Sequence, residues 1–311
     1  MNLETFQNLP TQSVARHVRE GGVSVCVFPV NGTRRWFALE HPQLSSRPLA
    51  EDYLRIAGRR HIELYRLFFD HGIHTLLTPI FGPDILERGQ GYRDLLKRGL
   101  VWFAENEDFR EFYDAYDVRV RVYGETRRYL HGTPYADALD AYEALARRTA
   151  HHDSCRLFFG VCAHDAALAA ADASVRFHTQ HGRLPERHEL VTAFYGEYVA
   201  PPDLFVGSDR PAVYDMPLVS TGHEDLYFTV SPSPYLDAHT LRAILYDHLY
   251  ARRVCDESYQ ALSSDDWQAM GEYYTVNRSA VLGLGRRHES GRFWYPIPQV
   301  RLPWASGDGD D

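Results

Sequence analysis

The stretch VSVCVFPVNGTRRWF, Val23 to Phe37, carries a continuous apolar run into an Asn-Gly turn and then into a pair of arginines. An unbroken run of apolar and β-branched residues is typical of a strand that is covered on both faces of a parallel sheet. We therefore predict a buried first strand over residues 23–30, which opens through the turn into a helix.

Strand and helix patterns alternate along the chain. Apolar residues at helical spacing predict a helix that stops at Gly72, and the segment IHTLLTPIF follows it as the second strand. The later predicted elements are a helix from Pro83 to about Asp117, a strand at 118–124, a helix near 134–149, a strand at 156–163, helices that close at His181 and Tyr198, strands at 203–208 and 226–232, and a helix from Asp237 to about Arg253. This alternation predicts an α/β fold with a mostly parallel, doubly wound sheet of about six strands flanked by helices.

Composition limits the classes of function. The net charge of -9 argues against a general nucleic-acid binder, which needs a basic face. The four cysteines form no CxxC pair, which favours buried thiols and a reducing cytoplasm. No apolar stretch reaches the roughly 18 residues that a membrane span requires, so we expect no membrane insertion. We predict a single domain over residues 1–303 and a disordered acidic tail over 304–311.

The loop after the first strand is a candidate phosphate site. In an open α/β sheet, ligands bind beyond the carboxyl ends of the strands, and this loop is a favoured place for phosphate. Gly32 lets the backbone approach a ligand closely, while Arg34 and Arg35 can each donate two hydrogen bonds to phosphate oxygens. An Arg-Arg pair after a turn is also common on solvated surfaces, so these residues alone leave both interpretations open.

Other motifs carry little chemistry. The GQG segment at 89–91 lacks the preceding strand and the third glycine of a dinucleotide fingerprint. The pairs His151–His152 and His178–His181 have spacings that a metal could use, but histidines among polar residues are more often solvated helix ends. The sequence contains no G-x-S-x-G, H-E-x-x-H or Walker motif, so nothing indicates a hydrolase or a nucleotide kinase.

Residues 31–36, NGTRRW, resemble the Asp-Gly-Asn-Arg-Arg-Trp signature of the cis-prenyltransferases, and VRVRVYGE and DLYFTVSP are similar to later strands of that fold. The likeness is greater to one branch, the tuberculosinol synthase and tuberculosinyl adenosine transferase enzymes, and it runs from about Val23 to Arg253. The segments that carry it are FPxxGTRRWF, HGI, YGEYV, PLxS, LYFTV and LRxILYDHxYxR.

The resemblance implies that the substrate is an allylic diterpenyl diphosphate. Its head group would be bound by Gly32, Thr33, Arg34 and Arg35, and its hydrocarbon would lie in an apolar tunnel between sheet and helices. It also implies a reaction that begins by ionising the carbon–oxygen bond. The two arginines would then stabilise the charge that grows on the departing diphosphate in the transition state.

Two tyrosines stand in matching positions of that family, Tyr53 on the first long helix and Tyr92 after the segment LERGQG. The resemblance implies that both flank the cation formed by ionisation. The π face of a phenol favours positive charge, and its hydroxyl can orient the nucleophile that ends the reaction.

A magnesium ion is implied by the resemblance, but its site differs here. The family's leading aspartate, which holds Mg²⁺ against the diphosphate, is replaced by Asn31. A neutral carboxamide is a poorer ligand for a hard cation, although its NH₂ group can donate to a phosphate oxygen, so Asn31 is both a catalytic and a metal-site candidate. Asp225 stands where chain-elongating relatives carry a metal-binding glutamate and could compensate.

A second departure concerns chain elongation. The segment with which elongating enzymes hold isopentenyl diphosphate has Gly207 at an arginine position and Asp215 at a serine position. A carboxylate there would repel a second diphosphate, so we expect no elongation.

The sequence therefore predicts a diterpene synthase that ionises a bicyclic diterpenyl diphosphate and ends with water addition or proton loss. The alternatives are a diterpenyl transferase to a nucleoside or other acceptor, and a non-catalytic binding subunit. The resemblance also implies a homodimer.

Overall fold

The structure, a computed structural model, describes residues 1–45, 51–83, 86, 93–213, 220–252 and 262–304. Its main feature is a six-stranded sheet in which every neighbouring pair of strands is parallel. Helices flank the sheet, and a separate two-stranded antiparallel sheet lies near the end of the described chain. The predicted fold class is confirmed.

The elements follow one another in the alternation that the sequence predicts. The strands of the described part are β1 (Val25–Val27), β2 (Thr75–Phe81), β3 (Val118–Tyr123), β4 (Cys155–Val161), β5 (Leu204–Ser208), β6 (Asp225–Thr229), β7 (Gly285–Arg287) and β8 (Trp294–Pro296). The α-helices are α1 (Leu3–Gln7), α2 (Thr11–Glu20), α3 (Thr33–Glu40), α4 (Pro42–Ser45), α5 (Glu51–Asp70), α6 (Arg93–Glu105), α7 (Glu107–Ala115), α8 (Thr126–Leu130), α9 (Asp137–Arg148), α10 (Ala166–His181), α11 (Arg187–Tyr195), α12 (Ala238–Tyr246) and α13 (Ser264–Asn277).

The strand order is β3-β4-β2-β1-β5-β6, which puts β1 in the middle of the sheet. Val25 pairs with Thr75 of β2 on one side, and Cys26 pairs with Leu204 of β5 on the other. From β1 the chain runs outward to β2, whereas from β5 it runs outward to β6 in the opposite direction. The carboxyl ends of β1 and β5 therefore form the point where the winding reverses, and ligands of open α/β sheets bind at such a point.

Strand β1 is buried on both faces, as its unbroken apolar run predicts. Val25 and Val27 belong to the hydrophobic cluster on one face, and Cys26 and Phe28 belong to the larger cluster on the other. The regular strand is shorter than the predicted 23–30 and ends before Pro29. Proline has no N–H to donate to the ladder, which explains why the strand stops there.

Two predicted helix ends agree with the structure, whereas the helix predicted to close at Tyr198 ends at Tyr195. Gly72 and Gly182 adopt the left-handed conformation after α5 and α10, with φ of +97° and +72°, as a C-terminal glycine should. The helix predicted from residue 83 to 117 is instead divided into α6 and α7, while residues 84–85 and 87–92 lie outside the described part. The break falls at Asn106, whose extended backbone begins α7, and asparagine favours such a position over a helix interior.

The segment after residue 262 was not predicted. Helix α13 buries none of its residues, so it lacks the apolar periodicity that makes a helix visible in a sequence. Residues 305–311, most of the predicted tail, lie outside the described part, and the single domain remains a prediction. No helix among the described residues is both long enough and apolar enough to cross a membrane.

Candidate active site

The loop after β1 sets a helix N-terminus at the carboxyl edge of the sheet. Gly32 has a left-handed backbone, with φ of 78° and ψ of 11°, and no side chain caps the helix that follows. The Trp36 N–H donates to the Gly32 carbonyl at 3.0 Å, so α3 begins directly after the turn. The first N–H groups of a helix have no intrahelical partners, and together with the helix dipole they favour an anion.

Two arginines and one carboxylate surround this N-terminus. Arg34 and Arg35 lie on the first turn of α3, and both are exposed. Arg35 forms an ion pair with Asp209, the residue directly after β5. Asp209 has a left-handed backbone, with φ of 67°, and its N–H donates to the Thr229 carbonyl at 2.8 Å. Such a conformation is uncommon for a residue other than glycine, and here it holds a carboxylate beside the loop.

Ser233, which follows β6, connects the loop after β1 to the end of β5. Its hydroxyl accepts the Asn31 N–H at 3.0 Å, and its own N–H donates to the Asn31 carbonyl at 3.0 Å. The same hydroxyl lies 3.1 Å from that of Ser208, the last residue of β5, and Ser233 and Ser208 are both buried. The loops after β1, β5 and β6 are thus held in one fixed arrangement. Neither Ser233 nor Asp209 was identified from the sequence.

We expect Gly32→Ala to weaken the binding of inorganic diphosphate, measured by titration calorimetry. A Cβ atom at Gly32 would lie 2.7 Å from Cβ of Pro232, so the loop must move, and the left-handed backbone adds strain of about 1–2 kcal/mol. Gly22→Ala is the matched control, because Gly22 has the same φ of +78° but open space around it. Gly22→Ala should carry the same backbone strain without the clash, and it should keep its diphosphate affinity. Equal affinities in both variants would contradict the assignment of the loop.

An apolar cavity adjoins the loop. It encloses about 760 Å³ of space not filled by atoms, a figure that includes its open mouth. Thr33 and Val30 line it from the loop, and the other described lining residues come mostly from α5, α6 and β2. They are Tyr53, Leu54, Ala57, Gly58, His61, Ile80, Phe81, Leu95, Leu96, Gly99, Trp102, Phe103, Phe109 and Phe159. Thr33 therefore belongs both to the N-terminus of α3 and to the wall of the apolar cavity.

Tyr53 lies where the sequence places it, on α5, and its half-buried side chain lines the cavity. Its ring meets that of Phe37 edge to face, with the ring centroids 5.2 Å apart. Tyr92, the second predicted tyrosine, lies outside the described residues. The structure thus brings together Asn31, Gly32, Thr33, Arg34, Arg35 and Tyr53 of the predicted set.

His61 is a further polar residue of the cavity, two helical turns after Tyr53 on the same face of α5. Its Nε2 atom lies 3.5 Å from the Thr33 hydroxyl, and its ring packs against Tyr65 with centroids 6.1 Å apart. Burial lowers the pKa of His61 to about 4, so the imidazole is neutral at pH 7. It is one of sixteen histidines, and nothing in the sequence distinguishes it.

Asp225, the predicted second metal ligand, lies away from this loop. It is the first residue of β6 and pairs with Leu204, the first residue of β5, so it stands at the amino edge of the sheet. Its carboxylate lies 2.6 Å from His248 Nδ1 and 3.3 Å from Arg252 Nη1. Within one chain, the structure does not bring Asp225 to the loop that carries Asn31.

In the part of the chain that the structure describes, this loop offers a magnesium ion one carboxylate, so a bound diphosphate would supply further ligands. Among the described residues, no cluster of three or more His, Cys, Asp or Glu side chains could hold a metal. The Asn31 side-chain oxygen already accepts the Gly32 N–H at 2.8 Å. Mg²⁺ is often held by one or two carboxylates plus substrate phosphates, and Asp209 offers one carboxylate at this edge. Asp209 therefore suits the ion better than Asn31 does.

The packing around Gly207 explains why this position does not carry the arginine of the elongating enzymes. A Cβ atom at this position in β5 would lie 2.7 Å from the Phe228 ring and 2.9 Å from the Phe205 ring. No arginine side chain can be accommodated there without repacking both rings. Asp215, the other departure, lies outside the described residues.

No family model matches the chain. Two characterised proteins do. Tuberculosinyl adenosine transferase from Mycobacterium tuberculosis (strain CDC 1551 / Oshkosh) is 38% identical over 300 residues, which cover 95% of this chain and 99% of the relative. The (+)-kolavelool synthase from Herpetosiphon aurantiacus is 29% identical over 289 residues, which cover 90% of this chain and 91% of the relative.

Two solved structures share the fold. Lavandulyl diphosphate synthase from Lavandula x intermedia, in complex with dimethylallyl diphosphate, superposes with a TM-score of 0.57 at 15% identity and covers 74% of this chain and 97% of its own. A probable undecaprenyl diphosphate synthase from Campylobacter jejuni gives 0.51 at 16% identity, with coverage of 74% and 96%. Identities this low establish the architecture alone.

Proposed function

Because the chain belongs to the tuberculosinol synthase and tuberculosinyl adenosine transferase family, we propose that it is a diterpene synthase. Its substrate is a bicyclic diterpenyl diphosphate, whose carbon–oxygen bond ionises in the cleft. Water addition or proton loss then gives a diterpene alcohol or olefin. The related transferase and synthase both support diterpenyl chemistry in an enzyme of this family.

One observation carries the proposal: the anion site and the apolar cavity meet at Thr33. An amphiphilic substrate with a charged head and a hydrocarbon body needs these two environments side by side. The α3 N–H groups and the two arginines bind the diphosphate, and the negative charge they stabilise grows as the bond breaks. The cavity wall excludes water from the hydrocarbon until the cation reacts.

The magnesium ion, when bound, would neutralise part of the diphosphate charge and make it a better leaving group. Asp209 would hold the ion from the protein side, and Asn31 would donate its NH₂ group to a phosphate oxygen. An asparagine holds the ion less tightly than an aspartate does, so Arg34 and Arg35 must neutralise more of the leaving group when less magnesium is bound. The homodimer likewise remains a prediction.

The proposal is tested with a panel of linear and bicyclic diterpenyl diphosphates, each incubated with and without adenosine and analysed by mass spectrometry. We expect an alcohol or olefin from a bicyclic substrate. A diterpenyl adenosine product would favour the transferase alternative, for which the 38% identical relative is the precedent. Intact substrate throughout the panel would leave only a binding role.

We expect Tyr53→Phe to change the product ratio or the rate more than the melting temperature. Phenylalanine keeps the ring that packs on Phe37 and removes only the hydroxyl from the cavity wall. Tyr246→Phe is the control, since that hydroxyl donates to the Met1 carbonyl, away from the cavity. A lowered melting temperature with unchanged products for Tyr53→Phe would assign Tyr53 a structural role. The same comparison applies to Tyr92→Phe.

A further inference from the structure

A carbocation that forms in an apolar cavity must lose a proton, or meet a nucleophile that does so. The described lining of the cavity contains no charged side chain, and its polar side-chain groups belong to Thr33, Tyr53, His61 and Trp102. Hydroxyls are weak bases and an indole N–H only donates, whereas a neutral imidazole has a basic lone pair. His61 is therefore the strongest proton acceptor in this part of the wall.

The position of His61 suits that role. Its Nε2 atom lies 3.5 Å from the hydroxyl of Thr33, the first residue of α3, so the imidazole borders the place where the carbon–oxygen bond breaks. Ala57 and Tyr53 lie one and two turns before it on the same face of α5, and all three line the cavity. Edge-to-face packing against Tyr65 restrains the orientation of the His61 ring.

The charge state of His61 also fits. Among the described residues, the groups that contact its ring include the hydroxyl of Thr33 and the ring of Tyr65. Arg60 is the charged residue that precedes it on α5. The Arg60 guanidinium donates hydrogen bonds to the Glu63 carboxylate at 2.6 Å and to two backbone carbonyls. Burial lowers the pKa of His61, which keeps the ring uncharged before ionisation. A charged imidazolium would instead repel the cation, and a carbocation is acidic enough to protonate even a weak base.

We propose that His61 is the proton acceptor that ends the reaction. The proposal rests on the diterpene synthase function and adds a residue to it. When the carbon–oxygen bond breaks, its electron pair leaves with the diphosphate. The pair of a neighbouring C–H bond then forms the double bond of an olefin, and the proton moves to an imidazole nitrogen. For an alcohol product, a water oxygen bonds to the cationic carbon and its surplus proton leaves to solvent, so loss of His61 shifts the balance between olefin and alcohol.

The test compares His61→Gln with the natural protein in single turnovers, and records diphosphate release and product ratio separately. We expect the ratio of proton-loss product to other products to change at least about tenfold, and by more than the rate of diphosphate release. His74→Gln is the control, because His74 lies at the other end of β2 against Thr75 and should leave the ratio unchanged. Imidazole added to His61→Ala should restore part of the natural product ratio.

The outcomes separate two failures. An unchanged product ratio in both His61 variants would overturn the assignment, and would identify the diphosphate or Tyr53 as the proton acceptor. A drop in diphosphate release with no change in ratio would also overturn it, since His61 would then act on ionisation through Thr33. If the natural protein releases no diphosphate from any diterpenyl substrate, the proposed function itself fails and this role falls with it.

Discussion

Arg34→Ala and Arg35→Ala are each expected to lower turnover at least about a hundredfold, the scale of losing one donor aimed at a developing negative charge. Both side chains are exposed on the first turn of α3, so their loss should leave the fold intact. The effect should appear in kcat, because the charge on the leaving diphosphate is largest in the transition state. Steady-state kinetics and melting temperature are measured side by side.

The matched control is Arg127→Ala, which removes an exposed arginine on α8. Its guanidinium lies 3.3 Å from the Glu143 carboxylate, and the pair is remote from the loop. It should change neither turnover nor melting temperature by much. Near-normal turnover in both loop variants would end the assignment of the α3 N-terminus as the diphosphate site. Arg35 has an additional partner in Asp209, so its loss also frees that carboxylate.

Asp209→Asn is expected to raise the magnesium concentration for half-maximal activity at least about tenfold. The variant keeps the size of the side chain and removes the carboxylate that the structure places beside the loop after β1. Asn31→Asp in the same chain should restore much of the affinity, because it returns one carboxylate to the position the family uses. Binding of Mn²⁺ in the presence of inorganic diphosphate, followed by electron paramagnetic resonance, gives a readout independent of turnover.

Asp225→Asn separates the two candidate carboxylates. Its partners His248 and Arg252 are both at the amino edge of the sheet, so this change should affect stability and leave metal affinity unaltered. Loss of Mn²⁺ binding in Asp225→Asn but not in Asp209→Asn would show that Asp209 is not the metal ligand. Asp225 would then have to reach the ion by an arrangement not formed within a single chain.

Local sequence signals predicted the central strand and two of the helix ends. The apolar run before Asn31 identified a central strand, because burial on both faces leaves no polar alternation. Gly72 and Gly182 marked helix ends, since only a residue without a Cβ adopts their backbone conformation easily. These signals depend on a residue and its near neighbours, which a sequence displays directly.

Residues that depend on tertiary neighbours could not be predicted in the same way. Asp209 gains its role because β5 lies beside β1, a pairing that the order of elements does not fix. His61 becomes a cavity residue because α5 packs the face that carries Tyr53, Ala57 and His61 near Thr33. Asp225 shows the converse: motif likeness suggested a metal ligand, but the strand register puts it at the opposite edge from Asn31.

The central claim, that a carbon–oxygen bond ionises in this cleft, is tested most directly by a single turnover of a bicyclic diterpenyl diphosphate in heavy-oxygen water. Ionisation predicts that an alcohol product carries oxygen from the water, that an olefin product carries none, and that the released diphosphate contains only its original oxygen atoms. Heavy oxygen in the released phosphate, with the original oxygen retained in the alcohol, would show phosphorus–oxygen cleavage and would contradict the claim.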